Sequence, residues 1–214
     1  MSSATLLRYL GATTLSLAII SATHAEENGD TARAVFAGGC FWCVEEAFDP
    51  VEGVLATTSG FSGGDVESPS YEDVVDGGTG HAEVVEVEYD PDQVDYADLL
   101  YVFWRNIDPF AKGRQFCDVG ASYRSAIFPM NEMQRELAEQ SRDELSERFD
   151  RTIATQIEDF DAFYPAEEYH QNYYQKNPVR YRFYKSGCGR QERLEEVWED
   201  EAGGLADGRV ARSE

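Results

Sequence analysis

The chain has 214 residues, 42% of them hydrophobic and 28% charged, with 18 Lys and Arg against 41 Asp and Glu for a net charge of −23. Such an acidic surface excludes nucleic acid and anionic membranes as natural partners, and its self-repulsion suits a setting where salt screens it. Four cysteines and three histidines leave little material for a metal centre.

Residues 1–25 read as a secretory leader. Arg8 stands before a mostly apolar run from Tyr9 to Ile20, and Ser21-Ala22-Thr23-His24-Ala25 ends in small residues. The run is too short to span a bilayer. Residues 26–214 then suit one domain with a sizeable core. Export makes two structural disulfides one reading of the four cysteines, although a domain of this size does not need them.

A buried strand is expected over 34–37, ending in Gly38-Gly39. A short helix over 40–48 follows, stopped by Asp49-Pro50. Cys40 thus sits where strand hands over to helix. Free backbone N–H groups and the helix dipole favour a thiolate there, the reactive form of cysteine. Phe41 and Trp42 can wall an apolar pocket beside it. Residues 54–61 read as a β-branched strand, 68–76 as a turn and short helix carrying Tyr71, and 77–80 as a glycine loop. Glu83-Val84-Val85-Glu86-Val87-Glu88-Tyr89 alternates as a strand. An amphipathic helix covers 95–106, an irregular loop 108–120, and a strand 122–128. Residues 130–149 form a charged helix capped by Asn131. A strand at 152–157 and an aromatic-rich, partly helical stretch at 161–177 complete the regular part. Residues 179–214 read as a mobile tail with Cys188 between Gly187 and Gly189. Several links are too short for parallel crossovers, so the expected fold is a single α+β domain with a mixed or antiparallel sheet and helices packed on it.

Gly39-Cys40-Phe41-Trp42 resembles the active-site signature of the A-type peptide-methionine (S)-S-oxide reductases. Gly60-Phe61-Ser62-Gly63-Gly64, Pro69-Ser70-Tyr71-Glu72-Asp73-Val74, Gly80-His81-Ala82-Glu83, Phe103-Trp104 and Asp108-Pro109 are similar to further motifs of that family, in its order. So are Asp118-Val119-Gly120, Tyr123-Arg124-Ser125-Ala126-Ile127 and Ala166-Glu167-Glu168-Tyr169-His170-Gln171. The resemblance covers roughly residues 34–178.

It implies a ferredoxin-like core and a catalytic domain over 26–178. It implies Cys40 as nucleophile on the sulfoxide sulfur and Glu83 as the acid that protonates its oxygen. Tyr71 and Tyr123 would bond that oxygen, Asp118 would order the surroundings, and Phe41 and Trp42 would hold the substrate methyl. Cys40 would become a sulfenic acid, and Cys188 would resolve it as a disulfide that a thioredoxin-like dithiol reduces. No metal or organic cofactor is implied. The substrate would be free or protein-bound methionine sulfoxide, the protein a monomer, and its place the periplasm.

Three departures from the family pattern bear on recycling. Cys43 follows Trp42 where glycine is usual, Cys117 precedes Asp118 where many members have Asn, and Ile107 and Phe110 flank Asp108-Pro109. Cys43 lies one helical turn from Cys40 and could join the redox chemistry. Glu168 and His170 are candidates to brace the site, and His81 reads as a loop residue. Two rival functions share some of these residues. A general dithiol–disulfide oxidoreductase would use Cys40 and Cys43, and a secreted structural domain would tie all four cysteines in fixed bonds.

Overall fold

The computed structural model describes residues 31–206 and 209–210; the leader expected over 1–25 lies outside them. Strand β1 (Ala32–Gly38) leads to α1 (Phe41–Phe48), then β2 (Val54–Ser62), the short α2 (Tyr71–Asp76), β3 (Ala82–Tyr89) and α3 (Tyr96–Arg105). Two-residue strands β4 (Arg114–Gln115) and β5 (Asp118–Val119) pair with each other ahead of β6 (Ser125–Phe128) and α4 (Glu132–Phe149). Short strands β7 (Gln156–Ile157) and β8 (Tyr164–Pro165) and helices α5 (Tyr173–Lys176), α6 (Pro178–Gly187) and α7 (Arg190–Trp198) follow.

The main sheet runs β7-β6-β1-β3-β2-β8. Its four central strands are antiparallel throughout, and only the β6–β7 pair is parallel. Strands β1, β2, β3 and β6 with α1 and α3 between them give the βαββαβ connection of the ferredoxin-like core expected from the resemblance.

Strand β1 is buried on both faces because its residues alternate between two cores. Ala34 and Phe36 join the larger core with α1, α3, α4 and α7, while Val35 and Ala37 pack with Ala82, Val84, Ala126 and Phe128 on the other side. Phe36 stacks with Phe48, Tyr96 and Phe103 at centroid distances of 5.1–6.0 Å. Helix starts are locally encoded. Ser70 and Asp95 form capping boxes with Asp73 and Asp98, and the Asn131 side chain accepts from the Gln134 N–H at 2.9 Å.

The fold departs from expectation in three places. Residues 121–123 form a 3₁₀ turn, so the strand begins only at Ser125. The expected strand over 152–157 shortens to two residues, since the Ala154 N–H bonds the Pro109 carbonyl at 2.7 Å instead of a strand neighbour. Most importantly, the stretch read as a mobile tail is helical from Pro178 to Trp198 and anchored in the core. Leu194, Val197 and Trp198 are buried at helical spacing, and the Trp198 indole N–H donates to the Ile107 carbonyl at 2.9 Å. Dense surface charge on these helices had masked that apolar stripe. Among the described residues no helix is long and apolar enough to cross a membrane.

Candidate active site

Gly39 makes the turn from β1 into α1 at φ +82°, and a Cβ there would lie 2.5 Å from the Gln115 Cβ. Only glycine fits this left-handed position without displacing the β4 segment. The turn sets Cys40 at the N-cap of α1, as expected.

Cys40, Phe41, Trp42, Tyr71, Glu83, Asp118, Tyr123 and Tyr184 line one cavity of about 60 Å³. Seven of these eight were singled out from the sequence, and they arrive from β1–α1, α2, β3, β5 and the 121–123 turn. Tyr184, from α6, was missed because its helix had been read as tail. Two of the proposed redox cysteines lie off this cavity: Cys43 is one turn along α1, and Cys188 follows α6.

Glu83 is 2% exposed, and its Oε2 accepts the Phe41 N–H at 3.0 Å. Burial pushes its carboxyl up to about 8 despite that donor, with Asp118 and Cys43 adding to the rise. The group is therefore a neutral acid at pH 7, the state that proton donation requires. Burial also raises the Tyr71 phenol to about 12 and holds Tyr123 higher still; the two hydroxyls share a hydrogen bond. Asp118 is raised by burial, offset by the hydrogen bond from Tyr184 and by the Arg190 charge.

The thiol chemistry differs from the sequence expectation. Burial pushes the Cys40 thiol up, overriding the helix N-terminus that was expected to depress it. Its hydrogen bond to Cys43 brings the Cys43 thiol down to about 6, against burial and with help from Arg190, Tyr181 and Lys185. The two sulfurs thus form a buried pair in which a single shared proton keeps one thiolate near neutral pH. Cys40 and Cys43 are free thiols, whereas Cys188 is bonded to Cys117, 71 residues away. The resemblance implies Cys188 as the thiol that resolves Cys40; in this structure its segment is packed as helices α6 and α7, and its sulfur is joined to Cys117.

The pocket wall is braced from the 166–173 segment. The Trp42 ring stacks on Tyr173 at 3.8 Å and 10°, and its indole N–H donates to His170 Nδ1 at 3.2 Å. His170 accepts at Nδ1 and burial lowers its pKa, so it stands neutral. The candidate Glu168 does not brace the site: it pairs at the surface with Lys176 at 2.9 Å with its side chain 88% exposed. The neighbouring Glu167 does so instead, accepting the Tyr71 N–H at 3.1 Å. His81 binds the Gly64 N–H and the Val66 carbonyl, a loop-holding role.

The sequence model described as peptide methionine sulfoxide reductase matches residues 32–202, which includes α6 and α7. The peptide methionine sulfoxide reductase MsrA of Bacillus licheniformis is 49% identical over 167 residues, 77% of this chain and 92% of that protein. MsrA 2 of Caulobacter vibrioides is 48% identical over 185 residues, 86% of this chain and 94% of the relative. Among solved structures, methionine sulfoxide reductase A of Corynebacterium diphtheriae superposes with a TM-score of 0.65 at 35% identity, covering 72% of this chain and 78% of that one. The reduced form of Mxr1 from Saccharomyces cerevisiae superposes at 0.64 with 33% identity, over 71% and 88% of the two chains. With a family match spanning most of its length and relatives nearly half identical along it, this chain belongs to the peptide methionine sulfoxide reductases, a family of oxidoreductases.

Proposed function

We propose that the protein reduces the S epimer of methionine sulfoxide, free or within proteins, and that it repairs oxidised proteins outside the cytoplasm. The observation that carries the chemistry is the buried Glu83 carboxyl, raised to about 8 and lining the same small cavity as Cys40. A sulfoxide needs a nucleophile at sulfur and a proton at oxygen at the same time, and those two groups supply both. The leader-like residues 1–25 support the exported setting.

In this reading the sulfoxide oxygen sits between Tyr71, Tyr123 and Glu83, and its methyl group sits against Phe41 and Trp42. Cys40 passes its proton to the Cys43 thiolate as its sulfur attacks the sulfoxide sulfur, and Glu83 delivers a proton to oxygen. Transfer of the oxygen to Cys40 leaves methionine and a Cys40 sulfenic acid. A second thiol then displaces water to form a disulfide, and an external thioredoxin-like dithiol restores both thiols with two electrons and two protons. We assign the second thiol to Cys43, which is free, buried and hydrogen-bonded to Cys40. Cys188 is the alternative, and it acts on Cys40 only once its bond to Cys117 opens.

The test is single-turnover release of methionine from each epimer by the reduced protein, with Cys40→Ser as control and mass mapping of the product disulfide. Stoichiometric product from the S epimer alone, lost in the variant, with Cys40 linked to Cys43, is expected. Product from neither epimer by folded, reduced protein would favour the general dithiol–disulfide exchange reading. A Cys40–Cys188 link would return the resolving role to Cys188.

A further inference from the structure

Tyr184 comes from α6, a helix whose sequence carries none of the motifs above, yet its side chain reaches the centre of the site. Its hydroxyl donates to Asp118 Oδ2 at 2.5 Å, and its ring meets the Trp42 indole edge-on at 6.0 Å and 83°. It also lines the cavity beside Cys40, within hydrogen-bonding reach of the sulfur.

The Cys117–Cys188 disulfide joins the two segments that meet at this hydroxyl. Cys117 is the residue before Asp118. Cys188 lies one turn after Tyr184, and its N–H donates to the Tyr184 carbonyl at 3.1 Å. A short covalent path therefore runs from Asp118 through the disulfide to the turn bearing Tyr184, and the Asp118–Tyr184 hydrogen bond closes it into a ring. Gly187 and Gly189 flank Cys188, the latter at φ +63°, so without the disulfide this helix end would have wide backbone freedom.

We propose that Tyr184 is a further positioning residue for the reaction, linking the Asp118 carboxylate to the Cys40 sulfur, and that the Cys117–Cys188 disulfide holds it there. A hydroxyl has one proton to donate and two lone pairs to accept with. With Cys40 protonated, the Tyr184 proton goes to Asp118. When Cys40 becomes a thiolate, the same hydroxyl turns its proton to sulfur, favouring the anion and fixing its direction toward the substrate. Burial and the neighbouring Cys40 and Cys43 keep the phenol itself protonated. The structural disulfide and the catalytic thiols then have separate tasks. This inference rests on the sulfoxide-reductase reading for its effect on turnover, but not for its effect on the thiol.

Three variants test it: Tyr184→Phe, Cys117→Ser and the two combined. The readouts are the single-turnover rate with the S epimer and the pH midpoint of iodoacetamide alkylation at Cys40, resolved from Cys43 by tandem mass spectrometry. Tyr184→Phe is expected to slow the turnover by about ten- to a hundredfold, the scale of one hydrogen bond to a charged group. It should also move the Cys40 midpoint upward. Cys117→Ser should produce a smaller change in the same direction, and the combined variant should be no worse than Tyr184→Phe alone. A Tyr184→Phe protein with wild-type rate and midpoint, or effects of the two substitutions that add fully, would overturn the proposal. If wild-type protein releases no methionine from either epimer, the reductase reading fails, and the alkylation midpoints still decide whether Tyr184 and the disulfide act on Cys40.

Discussion

Replacing Glu83 with Gln separates the acid from the shape of the site. Gln keeps the acceptor for the Phe41 N–H and fills the same buried space, but it cannot deliver a proton. Lifting the carboxyl from 4.5 to about 8 by burial makes it on the order of 5 kcal/mol harder to ionise than an ordinary carboxyl. Wild-type Glu83 is therefore neutral through most of the physiological range. Loss of general acid catalysis should lower the single-turnover rate with the S epimer by about 10²- to 10⁴-fold. In wild type the rate should fall as pH rises through about 8 and Glu83 loses its proton, and fall again as pH drops through about 6 and the Cys40–Cys43 pair is fully protonated. The alkaline limb should disappear in the variant.

Stability gives a second, independent check on the same carboxyl. Its folded pKa lies above the unfolded value, so the folded state holds the extra proton. The stabilisation is complete below about 4.5 and is lost as pH rises to about 8. Glu83→Gln lacks this term, so its stability relative to wild type should improve steadily between those pH values. Rapid-quench turnover and urea unfolding across pH 5–9 measure both. A variant within threefold of the wild-type rate that retains the alkaline limb would refute the assignment of Glu83 as the acid.

Cys43→Ser should keep a full first turnover but lose about tenfold or more of the steady-state rate with a dithiol reductant, since the sulfenic acid loses its nearest thiol; unchanged steady-state turnover would move resolution elsewhere. Trp42→Ala removes the stack on Tyr173 and the bond to His170. A loss of about 2–3 kcal/mol in unfolding free energy and a raised KM are expected, and an unchanged KM would argue that Trp42 does not touch substrate. Gly39→Ala forces a side chain into a left-handed position against Gln115 and should cost about 1–3 kcal/mol, read as a lower denaturant midpoint. Lowering ionic strength should depress the melting temperature of so acidic a chain, and indifference to salt would remove the high-salt reading of its composition.

Much of this protein is local enough to be read from residue order alone. Gly39-Cys40 between an apolar strand and a short helix, the Ser70 and Asp95 caps, and the alternation through Glu83–Tyr89 each depend on neighbours within a few positions. The ordered motifs extended that reading to seven of the eight residues around the cavity. The remaining features depend on long-range packing. The charge-rich helices α6 and α7 hide their apolar stripe among acids and bases, so only their docking against the core shows that Tyr184 enters the site and Trp198 closes the core. A helix N-terminus predicts a depressed thiol at Cys40, but the depth of burial raises it and shifts the thiolate character to the Cys40–Cys43 pair. The Cys117–Cys188 bond likewise joins sulfurs that the fold brings together across 71 residues, and no spacing along the chain carries that distance.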